Sequence, residues 1–148
     1  MASGNFVLHK LMRAAVAWLQ TQAPLADIPA ASILPGLNRT KRAKPCVLCI
    51  ATAAENSDHL SGNKRTTLTV EVISDTDEEG DTERHFDRVE AVANALNTDT
   101  IAADLTAALA HFTVFLCQPA GESFGVTEDT DWISSVSFTV DCCGSDVD

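Results

Sequence analysis

Thiols and carboxylates are the side chains here with the most chemical reach, and their spacing limits what they can do. Cys46-x-x-Cys49 together with Cys142-Cys143 supplies four thiols, the number that completes a tetrahedral structural zinc site. Both pairs fall in stretches that read as strands. Residues three apart in a strand point to opposite faces, as do neighbours, so each pair can aim only one thiol at a shared point. Small hydrophobes filling strand positions account for them better. A thioredoxin-like use of Cys46 and Cys49 needs the first thiol at a helix amino terminus, where it could ionise, and the flanking residues are strand-like. The four histidines, His9, His59, His85 and His111, are scattered without an i, i+4 pair. There is no Gly-x-Ser-x-Gly elbow, phosphate-binding glycine loop or dinucleotide fingerprint, and no tyrosine. A nucleophile, a base and an orienting group cannot be assembled from these residues. The sequence therefore predicts no catalytic, cofactor-binding or metal-binding set, and no cofactor.

Charge is distributed unevenly. Asp75, Asp77, Glu78, Glu79 and Asp81 crowd one turn. They match no EF-hand loop, and a solvated turn that also favours the following helix amino terminus explains them. Arg39, Lys41, Arg42 and Lys44 gather four of the ten basic residues into one loop. In so acidic a chain this loop reads as a docking surface for an acidic neighbour, including the acidic turn of another copy of the same chain.

With 148 residues the chain is expected to form a single domain, residues 1–148, able to bury a core without staples. A net charge of −11 repels nucleic acid and anionic membrane surfaces at long range. Five cysteines, an odd number, suit reduced thiols in a cytosolic compartment better than a disulfide framework. The apolar block Ala14–Leu19 is short for a signal peptide core and too short to span a bilayer. Asn38-Arg39-Thr40 fits the glycosylation sequon, a chance match without a secretory signal.

Elements that could position these residues follow from periodicity. Leu8, Leu11, Met12, Ala15, Val16 and Leu19 stripe a first helix that Ser3 can cap and Pro24 stops. Pro29 makes 25–35 an edge strand or connector. Cys46–Ala51 is continuously apolar, as in a strand covered on both faces, and 52–64 reads as the tip of a hairpin returning through 65–75. There Leu68, Val70 and Val72 alternate with Thr67, Thr69 and Glu71, which specifies one core face. Phe86, Val89, Val92, Ala93 and Leu96 stripe a second helix; Thr98 or Asp99 can cap a third carrying Ile101, Leu105, Ala108 and Leu109. Phe112–Cys117 reads as a central strand, Pro119-Ala120-Gly121 as a turn into 123–128, and Trp132–Cys142 as a long alternating strand after an Asp129-Thr130-Asp131 turn. The expected fold is α+β: a mostly antiparallel sheet packed against an N-terminal helix and a central pair of short helices.

This order of elements, with Leu34-Pro35-Gly36, Pro45-Cys46-Val47 and the helix pattern Phe86-x-x-Val89-x-x-Val92, resembles the tail terminator, or tail completion, proteins of long-tailed bacteriophages. The resemblance spans nearly the whole chain and rests on element order and length. It implies a non-enzymatic virion protein, assembled in the host cytoplasm, that forms a ring of usually six copies. Such a ring would cap the tail tube, end tube polymerisation and offer a joining surface to the head connector. Its partners would be copies of itself, the tail-tube protein and the head–tail connector, with DNA passing the lumen without specific binding and no membrane contact. Arg39, Lys41, Arg42 and Lys44 against Asp75, Asp77, Glu78 and Glu79 are the expected interface residues. A neck or head-completion protein, or a tail-tube subunit, could share this outline; a small cysteine or carboxylate metal-binding domain is the other class.

Overall fold

A computed structural model describes residues 7–36, 44–56, 63–75, 82–126 and 131–144. Its elements in chain order are α1 (Val7–Thr21), a single 3-10 turn (Ala30–Ser32), β1 (Ile33–Pro35), β2 (Cys46–Asn56), β3 (Lys64–Ser74), α2 (Thr82–Leu96), α3 (Ile101–Ala108), β4 (Phe112–Val126) and β5 (Trp132–Gly144). The strands form one sheet in the order β1-β2-β3-β5-β4, with β1 parallel to β2 and every other pair antiparallel. The fold is α+β, as the periodicity predicts. Gly36, at φ +98°, ends β1 in backbone that favours glycine, and its N–H donates to the Cys49 carbonyl at 3.1 Å.

Alternation decides which face carries the helices. Leu68, Val70 and Val72 of β3 and Val136, Phe138, Val140 and Cys142 of β5 enter one apolar cluster with Leu11, Ala15 and Leu19 of α1, Val92 and Leu96 of α2, and Leu105 of α3. Fully burying one such leucine contributes about 1.5–3 kcal/mol, so this face holds the fold together. Two polar anchors fix the helices to it. Trp18 Nε1 donates to the Ala95 carbonyl at 2.9 Å, tying α1 to α2, and Thr106 Oγ1 accepts from the Val114 N–H at 2.9 Å, tying α3 to β4. The other face is largely hydroxylic: Thr69 meets Ser137 at 3.2 Å, Ser123 meets Ser135 at 2.7 Å, and Arg65 grips Asp141 in a fork of 2.9 and 3.1 Å.

β2 is covered on both faces, as its apolar run requires. Val47, Cys49 and Ala51 join the large cluster, while Cys46 and Leu48 form a small one with Ile73. Four expectations need correction. β2 reaches Asn56 and β3 starts at Lys64, so the hairpin tip is shorter than 52–64. Pro119-Ala120-Gly121 is not a turn, because β4 runs through it for 15 residues and absorbs the proline as a register shift between Pro119 and Gly121. Nor is β4 central: it lies at the sheet edge, where a residue without an N–H is tolerated. The third helix is entered from Thr100, whose hydroxyl donates to Asp104 at 2.9 Å and caps no backbone N–H. Ser3, the expected cap of the first helix, lies outside the described residues.

Candidate functional site

α2 presents a different stripe to the core from the one its apolar residues mark. Val92 and Leu96 are buried as expected, but the first two turns bury His85 and Arg88, while Phe86 stays 46% exposed. The buried pair closes a polar network at the ends of β3 and β5. Arg88 donates from Nε and Nη2 to the two carboxylate oxygens of Asp27, at 2.5 and 2.6 Å, and from Nη1 to Ser74 Oγ at 2.8 Å. His85 bonds Ser74 Oγ through Nδ1 at 2.8 Å and Ser134 Oγ through Nε2 at 2.9 Å. A tight turn from Leu25 to Ile28, with paired N–H and C=O groups at 3.1 and 3.0 Å, carries Asp27 to this position.

Electrostatics fix what the network can do. Burial, and then the neighbouring Arg88 cation, push the His85 imidazole down to about 4, so it is neutral near pH 7. The same guanidinium holds the Asp27 carboxyl below its usual range, chiefly by hydrogen bonding. Ser134 and His85 have the spacing of a nucleophile and a base. A base must become an imidazolium in the transition state, however, and Arg88 opposes that charge where a triad would place a carboxylate. The network is thus built to hold α2 on the sheet, with every member partnered.

Beside it lies an aromatic-walled groove. Phe86 of α2 and the 51%-exposed Phe124 of β4 face each other with ring centroids 5.1 Å apart, above His85 and Trp132. The groove runs between α2 and the second half of β4 as two adjoining hollows, about 290 Å³ near Phe86 and Phe124 and about 340 Å³ near Ala93 and Pro119, with Glu122 lining both.

Of the residues expected at an interface, Arg39, Lys41, Arg42, Asp77, Glu78 and Glu79 lie outside the described residues. Lys44 is bridged to Asp131 of the same chain, with its side chain 22% exposed, and Asp75 follows β3 half-buried. Cys46 and Cys49 enter clusters on opposite faces of β2, and burial pushes Cys49 and Cys142 up to about 12 and Cys117 to about 11. Cys49, Cys117 and Cys142 are therefore protonated packing groups at neutral pH. Sequence reasoning passed over Arg88 and Asp27. The signal available was the 85, 88, 92, 96 spacing, hidden because two of its four members are polar.

No protein-family model matches the sequence, and no curated protein matches it. A solved structure does resemble it. One chain in the virion of a native gene transfer agent particle superposes with a TM-score of 0.62 at 17% identity, covering 94% of this chain and 98% of that one. The two share a fold. No helix among the described residues is long and apolar enough to cross a membrane.

Proposed function

We propose that this chain is a non-enzymatic structural protein of a phage-like virion, and that it acts as a tail terminator. In this reading six copies form a ring on the last layer of tail-tube subunits, end tube growth and present a joining surface to the head connector, while DNA passes the lumen without being held. The observation that carries the reading is the end-to-end agreement of fold with a virion chain, with almost nothing left over in either molecule. Two features support it. Among the described residues no strand pairs with the outer side of β4, although Thr106 of α3 meets it at Val114, and vacant strand edges are natural joints between copies. Charge is also segregated: basic Arg39, Lys41, Arg42 and Lys44 join β1 to β2, and acidic Asp75, Asp77, Glu78 and Glu79 lead from β3 into α2. Across a head-to-tail contact these patches attract.

The test is tube capping. A tail-tube protein from the genome that carries this chain is polymerised with and without it, and tube lengths and ends are examined by negative-stain electron microscopy. Ring-shaped density at tube ends and shortened tubes are expected. Unchanged lengths with bare ends, or one stoichiometric metal ion per chain in native mass spectra, would sink the proposal.

A further inference from the structure

Two kinds of contact seat α2. Its second half rests on the apolar cluster through Val92 and Leu96, whereas in its first two turns only His85 and Arg88 are buried, Val89 is half-buried and Phe86 is left exposed. The first half is therefore held mainly by hydrogen bonds, and its two buried side chains share one oxygen. Ser74 Oγ accepts from Arg88 Nη1 and bonds His85 Nδ1, both at 2.8 Å, while His85 Nε2 bonds Ser134 Oγ at 2.9 Å. A neutral imidazole lets this network close: Arg88 donates to Ser74, the Ser74 hydroxyl donates to Nδ1, and Nε2–H donates to Ser134. A charged imidazole does not. Both ring nitrogens then donate, Ser74 Oγ must accept from two cations at once, and its own hydrogen loses its acceptor. The two charges would stand no further apart than two hydrogen bonds in a site closed to water.

Nothing packed around the ring offsets that repulsion. Among the described residues the imidazole is met by Ser74 of β3, Ser134 and Trp132 of β5, Phe124 of β4 and Phe86 of α2, and the charge acting on it is that of Arg88. The acids of the packed elements are placed elsewhere: Asp27 forks onto Arg88, Asp131 is bridged to Lys44, Glu122 lines the hollow between α2 and β4, and Asp75 follows Ser74 at the end of β3. The other charges of this half of α2 and the next turn, Glu83, Arg84, Asp87 and Glu90, are exposed.

We infer that the first two turns of α2 form an acid-operated latch: protonation of His85 breaks the network around Ser74 Oγ and releases residues 82–89 from β3 and β5, while 92–96 stay seated on the core. Release separates Phe86 and Val89 from Phe124 and Ser134, opens the hollow of about 290 Å³ that they line and bares the Trp132 ring. This is local opening, since the apolar cluster under Val92 and Leu96 is left intact, and it does not rest on the virion reading. The sign follows from the two states. Burial, and then Arg88, hold the imidazole down to about 4 in the closed latch, and water returns it to its ordinary value near 6.5 in the open one. Acid therefore favours opening, increasingly as pH falls from about 6.5 to about 4, and the opening constant should rise about thirtyfold between pH 7.5 and 5.0.

Native-state hydrogen exchange of the full chain, followed by NMR at pH 7.5, 6.0 and 5.0 and corrected for intrinsic rates, reads this opening. Two turns freed from the sheet fray, so amides 86–89 are expected to exchange through an opening that low urea does not promote, about tenfold or more ahead of amides 92–96 and of β3 and β5. Their protection should fall about thirtyfold from pH 7.5 to 5.0, and His85→Gln should keep the local opening but lose that dependence. Equal protection and equal urea dependence in the two halves of α2 overturn the inference in the natural chain alone, whether or not the variant folds. A pH dependence that survives His85→Gln overturns His85 as the trigger.

Discussion

His85 makes the stability of this fold sensitive to mild acid, and the size of the effect can be worked out. Its imidazole is held down to about 4 in the folded chain by burial and by Arg88, against an ordinary value near 6.5. A histidine lowered on folding stays neutral while the unfolded chain takes up a proton, so acid favours unfolding as pH falls through the window between about 6.5 and 4. The penalty between pH 7.5 and 5.0 is RT times the logarithm of the ratio of the two protonation sums, about 2 kcal/mol, rising to about 3.4 kcal/mol below pH 4. Asp27 contributes little above pH 5, because its carboxyl is lowered and protonates only in stronger acid. The assay is urea unfolding at pH 7.5, 6.0 and 5.0 for the natural chain and for His85→Gln, which keeps a donor and an acceptor but does not titrate. With a slope of about 2 kcal/mol per molar urea, the natural chain should lose about 1 M more of its midpoint than the variant over this range. Equal losses would refute the buried, neutral assignment of His85.

Three further outcomes follow from the described geometry. Arg88→Met keeps the volume but strips Asp27 and Ser74 of their donor; since Asp27 is 46% exposed and can rehydrate, a loss of about 2–3 kcal/mol is expected by chemical denaturation. In that variant the His85 titration, followed by NMR, should move up towards its ordinary range, and an unmoved titration would remove Arg88 as a cause. At pH 8, iodoacetamide should label half-buried Cys143 well before the buried thiols of Cys46, Cys49 and Cys142, read by peptide mass spectrometry. Early loss of Cys49 would contradict its burial between sheet and α1.

The sheet was legible wherever side chains alternate by type. β3 and β5 declare their faces because Leu68–Val72 and Ser134–Cys142 switch between apolar and hydroxylic residues at period two. β4 did not, because Pro119-Ala120-Gly121 carries a turn signature that a long partner strand overrode by pairing on both sides of the irregularity. α2 was placed correctly but rotated about its axis, since Phe86 looks more like a core residue than His85 or Arg88. Only tertiary partners, Asp27 some sixty residues away and Ser134 about fifty residues on, make burying the polar pair favourable. The groove was illegible for the same reason: it exists because Phe86 turns outward to meet Phe124, which no local pattern announces. The basic and acidic segments were plain from composition alone, whereas the intramolecular bridge that draws Lys44 to Asp131 was not.

The register breaks along β4 carry one more implication. They divide its pairing with β5 into Phe112–Val114, Leu116–Pro119 and Gly121–Val126, so no uninterrupted ladder exceeds six residues. A long, straight, apolar strand edge risks fibrous stacking of like strands. Here the irregularities at Phe115 and Ala120 break that template into short runs, which lowers the tendency of the edge to pair with copies of itself in an extended ladder.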